Sequence, residues 1–137
     1  MVTLTLADKL ELHELAARYG DAIDDRAWHR LDDIFTPDAV FEVRGLDIVM
    51  NGLADIKAFM DAAGDRHPQA HLMTNVYCLE TDGDVELRCR GLFPEANPSA
   101  DDKSSVVYHG SYYDKVVRTT EGWRIQHRVY VRGRKSD

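Results

Sequence analysis

An aspartate and a histidine, two residue types that can share a proton, stand at informative places in this sequence. Asp24 ends a segment typical of an amphipathic helix, Tyr19-Gly-Asp-Ala-Ile-Asp24-Asp-Arg-Ala-Trp28, and His71 begins a later segment typical of a strand. If the fold brings the Asp24 carboxylate to the His71 ring, the pair forms a general base that the carboxylate orients. Such a base suits the removal of a proton from carbon and requires no cofactor. Histidine fits the task because its unperturbed pKa is about 6.5.

Each of these two residues also has an ordinary structural explanation. Asp24 lies where a second helix is predicted to begin, and aspartate is a common N-cap residue. His71 alone is compatible with a hydrogen-bonded histidine of the core or its rim. A working pair requires contact between the two side chains, whereas the structural roles do not.

Tyr19 and Asn75 are further candidates for contact with a substrate. The phenol of Tyr19 suits polarising a carbonyl group or protonating a departing hydroxyl, although its place on the apolar stripe of the first helix also fits plain core packing. Strand alternation from Ala70 predicts that one face carries His71, Met73, Asn75 and Tyr77. Asn75 is therefore expected beside His71.

Three more candidates lie on the later strands. Alternation along the last strand predicts a core-facing side that carries Trp123, Ile125, His127, Val129 and Val131. His127 is then either a cavity residue or a hydrogen-bonded core histidine. Tyr112 is a candidate substrate contact. Arg132, near the end of the sequence, is a candidate for the same role, with exposure to solvent or a partner contact as the alternative.

Composition limits the classes of protein to which this sequence can belong. The chain has 137 residues, of which 44% are hydrophobic, so we expect one domain over 1–137 with a core of its own. The formal net charge of −7 disfavours nucleic acid or an anionic membrane as the main partner. No stretch approaches the roughly 18 consecutive apolar residues of a membrane span. Because no basic region precedes an apolar run at the start, we expect a cytoplasmic location.

The two cysteines, Cys78 and Cys89, lie in predicted strands on either side of the turn Thr81-Asp-Gly-Asp84. This placement suggests a buried, reduced pair facing each other across a hairpin. No Cys-x-x-Cys motif occurs, and the six histidines lack the spacing of zinc ligands. We therefore predict no metal and no cofactor.

The hydrophobic pattern changes from a helical period to a strand period about halfway along the sequence. Thr5 and Asp8 resemble a capping box at the start of the first helix. The first half is predicted to hold a helix to Ile23, a short helix from Trp28 to Phe35 that Thr36-Pro37 ends, a hairpin from Ala39 to Met50, and a third helix over about Leu53–Ala63. The second half is predicted to hold four strands, at about Ala70–Glu80, Val85–Phe93, Ser105–Arg118 and Gly122–Arg132. An exposed loop is predicted at Pro94–Lys103. Helices followed by long strands indicate an α+β domain. Strands of this length suit a strongly curved sheet that wraps around the helices as a cone and encloses a pocket.

This order of elements resembles the SnoaL-like branch of the NTF2-like superfamily over nearly all of the sequence. Two groups of residues carry the resemblance: Ala-Arg-Tyr19-Gly-Asp-Ala-Ile-Asp24-Asp-Arg-Ala-Trp28 with Leu31-Asp-Asp-Ile-Phe35-Thr-Pro-Asp38-Ala-Val-Phe41, and Tyr108-His-Gly-Ser-Tyr-Tyr-Asp114-Lys with Glu121-Gly-Trp123-Arg-Ile125. The resemblance implies an NTF2-like cone, in which N-terminal helices pack in a strongly curved mixed or antiparallel sheet. It is less specific for an activity, since enzymes and non-enzymes share this fold.

Within the superfamily, the sequence is most similar to small dehydratases of the scytalone dehydratase and bile-acid 7α-dehydratase kind. The resemblance implies that Asp24 and His71 are the catalytic pair, that Tyr19 is an active-site tyrosine, and that Arg132 is an arginine of the site. It implies a cofactor-independent lyase for a small hydrophobic cyclic molecule with a β-hydroxy carbonyl or a similar leaving group. Scytalone dehydratases differ at two positions, with tyrosine in place of Ile23 and histidine in place of Glu95.

Two other functions stay open at this point. A ketosteroid-isomerase-like enzyme would use the same base to move a proton without expelling a group. A non-catalytic ligand-binding domain of this fold would leave Asp24 and His71 apart. The resemblance also implies that exposed faces of the sheet pair to form a homodimer or a homotrimer.

Overall fold

The computed structural model describes residues 3–96 and 105–133. The α-helices are α1 (Leu6–Asp24) and α2 (Leu53–Ala63), short 3₁₀-helices span Trp28–Asp33 and Gly64–Arg66, and the strands are β1 (Phe35–Arg44), β2 (Ile48–Asn51), β3 (Leu72–Thr81), β4 (Asp84–Ala96), β5 (Ser105–Thr119) and β6 (Gly122–Arg132). Part of the predicted loop at Pro94–Lys103 belongs to β4, and the rest of that prediction, over residues 97–103, lies outside the described ranges.

One curved sheet contains all six of these strands, in the order β2-β1-β6-β5-β4-β3. Neighbouring strands are antiparallel except β1 and β6, which are parallel, so the sheet is mixed. Helix α1 packs against β3 and β6, and α2 packs against β1 and β2. The predicted α+β class, with helices held by a curved sheet, is therefore confirmed. No helix in residues 3–96 or 105–133 combines the length and apolar character needed to cross a bilayer.

The start of α1 is bonded to β5 and β6 beside the turn that joins these two strands. Thr5 and Asp8 form the predicted capping box, with Thr5 Oγ1 accepting from the Asp8 N–H. Asp8 also accepts a hydrogen bond of 3.0 Å from Trp123 Nε1 and forms an ion pair with Arg118. The hydrogen bond from the Thr5 backbone, followed by that from Trp123, holds the pKa of Asp8 well below its usual value.

A β-bulge on β3 changes which side chains face the helices. Asn75 and Val76 together stand opposite Cys89, and Asn75 adopts a left-handed backbone conformation with φ of 52°. Beyond the bulge, the inward positions are those of Val76 and Cys78, while Tyr77 points outward. The prediction that His71 and Asn75 share a face is therefore wrong, because one extra residue reverses the alternation.

A second bulge lies on β6. Lys115 pairs with His127 and Val116 pairs with Ile125, which leaves Gln126 without a partner residue. Trp123 and Ile125 face the core as predicted, but after the bulge Arg128 faces inward and His127 faces outward. The predicted core-facing side that included His127 is thus wrong beyond Ile125, for the same physical reason as on β3.

The segment after α1 differs from its prediction. The short helix ends at Asp33, and Phe35 already belongs to β1, where it pairs with Ile125. Thr36 and Pro37 lie inside β1, at an irregularity of register between Phe35 and Val40. Proline is tolerated at such a place, because its missing N–H removes no ladder hydrogen bond there.

The two cysteines are free and do not face each other. The turn at Asp82 and Gly83, with φ of 52° and 87°, sets a register in which Cys78 stands opposite Leu87. Cys89 is buried and pairs on its other side with Tyr112. The expectation of a buried pair that faces across the hairpin is therefore wrong, and Cys78 is only partly buried.

Candidate active site

The structure brings Asp24 and His71 into contact at the junction of α1 and β3. Asp24 Oδ1 lies 2.6 Å from His71 Nδ1, and Asp24 Oδ2 accepts a hydrogen bond of 2.8 Å from the His71 backbone N–H. Both oxygens of one carboxylate therefore hold one residue. The alternative role for Asp24 is wrong, since the N-cap of the following 3₁₀-helix is Ala27.

This geometry determines which ring nitrogen of His71 can act as a base. A carboxylate only accepts, so Nδ1 carries the proton and Nε2 carries the lone pair. The His71 side chain is 6% exposed, and burial lowers its pKa below the usual value while Asp24 opposes the decrease. The ring is therefore neutral at neutral pH. Asp24 also ends α1, whose C-terminal partial negative charge favours an imidazolium once one forms.

The His71 ring is part of a group of aromatic rings. Tyr19 and Phe93 contact it edge-on, with centroid distances of 6.3 Å and 4.9 Å. Phe93 lies 6.1 Å from Tyr130, Tyr130 lies 4.8 Å from Tyr112, and Tyr112 lies 5.9 Å from Tyr19. The five rings form a closed circuit on the helix-facing side of the sheet, a surrounding of low polarity for the base.

A buried arginine that the sequence reasoning missed lies beside this circuit. Arg128 and Asp114 are both 0% exposed and are joined by two hydrogen bonds of 2.8 Å. The Arg128 guanidinium carbon lies 4.0 Å from the Tyr19 ring centroid and 4.4 Å from that of Tyr112. Its Nη1 is buried and has no hydrogen-bond partner within residues 3–96 and 105–133. Buried donors are nearly always hydrogen-bonded, so this one marks Arg128 as a candidate contact for an oxygen atom of a ligand.

Two signals in the sequence pointed towards Arg128. Asp114 lies among apolar inward positions of its strand, between Tyr112 and Val116, and Arg128 is a basic residue on the strand that pairs with it. Simple alternation nevertheless assigns Arg128 to the outer face, and only the bulge at Gln126 turns it inward.

The remaining predicted site residues are divided between the two sides of the sheet. Tyr19 and Tyr112 are buried on the inner side with Arg128. His127 lies on the outer side, where its Nε2 is 2.5 Å from Glu42 Oε2. Arg132 is exposed, and its guanidinium carbon lies 5.2 Å from the centroid of the Tyr108 ring. Asn75 is exposed at the bulge of β3. The inner side thus holds Arg128 where the sequence predicted Arg132.

The interior near Arg128 is closely packed. Arg128 has no exposed surface, and Tyr19 is 2% exposed. Grooves of about 320 Å³ and 460 Å³ are lined mainly by outward-facing side chains, among them Asn75, Arg88, Arg90, Leu79, Lys115 and His127. A pocket beside His71 stays a prediction. In the described parts of the chain, no three metal-ligating side chains converge.

Together these groups can take and hold a proton. His71 offers a neutral base, Asp24 an anion that stabilises its protonated form, and Arg128 a buried cationic donor. The positive charge of Arg128 is balanced by Asp114, so a ligand that enters the site need not bring a counter-charge.

Comparison with known proteins agrees with this architecture. The model of the SnoaL-like domain matches residues 4–129. Protein Rv2910c of Mycobacterium tuberculosis is 35% identical over 128 residues, which cover 90% of this chain and 84% of the relative.

Solved structures show the same fold. An NTF2-like protein with a cystatin-like fold from Novosphingobium aromaticivorans has a TM-score of 0.81 at 23% identity, covering 96% of this chain and 85% of its own. A variant of protein Rv3472 from Mycobacterium tuberculosis has a TM-score of 0.76 at 26% identity, with coverages of 92% and 72%. The predicted NTF2-like fold is confirmed.

Proposed function

The chain belongs to the SnoaL-like family of the NTF2-like superfamily, which includes isomerases and dehydratases, and on this premise we propose that it is a cofactor-independent lyase of the dehydratase type. The contact between Asp24 and His71, whose ring packs against the rings of Tyr19 and Phe93, is the observation that carries the proposal. The expected substrate is a small hydrophobic cyclic ketone with a hydroxyl group on the β-carbon.

The proposed reaction begins at His71 Nε2, which removes a proton from the carbon next to the carbonyl group. The electron pair of that C–H bond forms the new C=C bond as the β-carbon releases its hydroxyl group. The imidazolium returns the proton to the departing oxygen, so water leaves and the base is regenerated. Asp24 stabilises the imidazolium through the 2.6 Å contact with Nδ1. General acid–base catalysis of this kind contributes about 10²–10⁴-fold.

Arg128 and Tyr19 have supporting roles in the proposal. As the proton leaves carbon, negative charge develops on the carbonyl oxygen, and the unpaired Nη1 of Arg128 is a donor for that charge. Burial raises the pKa of Tyr19, so its phenol stays protonated and able to donate. A low-polarity interior strengthens both interactions.

Access to the base requires side chains to move. Arg128 and Tyr19 are almost fully enclosed, whereas Tyr130 is only half-buried. We infer that rotation of Tyr130, together with its neighbour Phe93, opens the way to His71 for a substrate. Such a rotation takes each side chain from one staggered rotamer to another and leaves the strands in place.

An isomerase is the second candidate, because the same base can return the proton to another carbon. A neutral base and a donor for an enolate oxygen serve both reactions equally. The two differ in product mass, since dehydration releases water and isomerisation does not.

The test uses the purified chain with 3-hydroxycyclohexanone and 3-hydroxy-1-tetralone as probes. Mass spectrometry detects loss of water, and proton NMR in D₂O detects exchange at the α-carbon. We expect His71→Ala and Asp24→Asn to abolish both signals. His127→Ala is the matched control, because its histidine also contacts a carboxylate, Glu42, but on the outer face. Normal turnover in His71→Ala and Asp24→Asn would refute the assignment.

We also propose that the chain forms a homodimer or homotrimer through the outer face of β3 and β4. Support comes from large apolar side chains exposed there by 38% to 55%: Leu72, Tyr77, Leu79 and Leu92. Analytical ultracentrifugation of the wild type and of Leu79→Glu tests this. A wild-type mass of 15.6 kDa, that of one chain, would contradict it.

A further inference from the structure

Gly20 occupies a place where glycine is unfavourable for the helix itself. It is a buried residue in the interior of α1, four residues before Asp24. Glycine costs about 1 kcal/mol relative to alanine at such a position. A reason for glycine must therefore lie outside the helix.

The neighbouring strand supplies that reason. A Cβ atom at Gly20 would lie 2.7 Å from the backbone oxygen of His71 and 3.1 Å from Met73 Cγ. The Met73 side chain is flexible and can shift. The His71 carbonyl belongs to the backbone at the start of β3 and has no such freedom, so a methyl group at this position would push α1 and β3 apart.

The same separation would act on Asp24. Residues four apart lie on one face of a helix, so Gly20 and Asp24 both face the start of β3. Asp24 reaches His71 through two short hydrogen bonds, 2.6 Å to Nδ1 and 2.8 Å to the backbone nitrogen. Hydrogen bonds of this length are lost when the two elements separate by about 1 Å.

We propose that Gly20 is a positioning residue: its missing side chain sets the distance between α1 and β3 at which Asp24 holds the ring Nδ1 and the backbone nitrogen of His71. Its importance for turnover rests on the proposed role of that pair. The effect of Gly20 on the contact between Asp24 and His71 is independent of that role, because it is a property of the protein without substrate.

The experiment compares Gly20→Ala with the wild type. Proton and nitrogen NMR of the histidine rings report the Nδ1 proton, the tautomer and the pKa of His71 without any substrate. We expect the Asp24-bound Nδ1 proton signal to disappear and the His71 pKa to fall, because support from Asp24 is lost while burial remains. With an active probe substrate, kcat falls by about 10²-fold, the effect of misplacing a catalytic group by roughly 1 Å, and KM changes little.

Two further variants make the interpretation specific. Ala17→Gly, at an exposed position of α1, weakens the helix without touching β3 and should leave the His71 signals unchanged. Asp24→Glu adds one methylene and should restore the Nδ1 signal in the Gly20→Ala background by spanning the wider gap.

The outcomes separate the two proposals. A Gly20→Ala protein that keeps the His71 signals, or that fails to fold, overturns the positioning role, whatever the activity. The opposite case is also possible: Gly20→Ala loses the His71 signals, Asp24→Glu restores them, and the wild type shows no turnover. That combination supports the positioning role and counts against the lyase.

Discussion

Replacing Asp114 with asparagine would remove one charge from an ion pair that solvent does not reach. Both side chains are 0% exposed, and Arg128 donates two hydrogen bonds of 2.8 Å to the carboxylate. Asparagine can accept one of these hydrogen bonds but leaves the charge of Arg128 buried and uncompensated. Loss of one partner of a buried pair costs about 3–5 kcal/mol. That is a large share of the roughly 5–15 kcal/mol by which a domain is stable.

Urea unfolding followed by tryptophan fluorescence measures this free energy. The informative companion is the double variant Arg128→Met with Asp114→Leu, which removes both charges. Replacing a whole buried pair by apolar side chains is often neutral or stabilising by about 1–4 kcal/mol, so the double variant should be more stable than Asp114→Asn. Glu14→Gln is the control, because the Arg18–Glu14 pair is 63% and 53% exposed and should contribute less than about 1 kcal/mol.

Two results would refute this reasoning. One is a loss of less than about 1 kcal/mol in Asp114→Asn, the range of an exposed pair. The other is a double variant as unstable as the single one, which would mean that packing rather than charge dominates. The double variant also separates stability from activity: it should fold, yet lose about 10²–10³-fold in kcat if the Arg128 donor serves the proposed reaction.

Three further predictions concern pH and packing. Because burial lowers the pKa of His71, kcat/KM should stay constant as the pH falls to 6.5 and should decrease only below that pH, as the base is protonated. A pH–rate profile in which kcat/KM already decreases above pH 6.5 would contradict this. Asp8→Asn should lower the melting temperature at neutral pH, and the difference from the wild type should narrow below pH 3.8. The reason is that a carboxyl with a lowered pKa stabilises the fold at pH values above its usual pKa and loses this effect as it is protonated. Calorimetry at several pH values measures the two melting temperatures, and a difference that stays constant with pH would count against the assignment. Gly110→Ala would place a methyl group within the volume of the Tyr130 ring and should lower the free energy of unfolding in urea by about 1–3 kcal/mol. In a Tyr130→Leu background the same substitution should cost less. An equal loss of free energy in the wild-type and Tyr130→Leu backgrounds would exclude this overlap as the cause.

The helices and strands were predictable because their signals are local. The capping box at Thr5 and Asp8 and the pattern of Leu53–Ala63 each depend on residues within a few positions of one another, and both are observed. The residues that meet at the candidate site are far apart in the sequence. Their contact follows from the pairing of strands and from the seating of α1 on β3, which no local pattern encodes.

The errors about side-chain direction have one cause. Alternation assigns each strand residue to a face only while the strand is regular, and a single extra residue reverses every later assignment. The bulges at Asn75 and Gln126 therefore moved Asn75 and His127 to the outer side and Arg128 to the inner side. Asparagine tolerates the left-handed conformation seen at position 75, but asparagine is common enough that this alone does not predict a bulge.

The parallel pairing of β1 with β6 has a consequence for synthesis on the ribosome. Val40 of β1 pairs with His127 of β6, so β1 lacks this neighbour until the residues of β6 have been translated. At about 5–20 residues per second, the apolar surface of the nascent N-terminal half waits several seconds for that strand. Strand β6 also brings Arg128, so the ion pair with Asp114 forms only once that strand has emerged. Premature termination before β6 would leave a chain with an open sheet edge, a substrate for chaperones rather than a smaller functional domain.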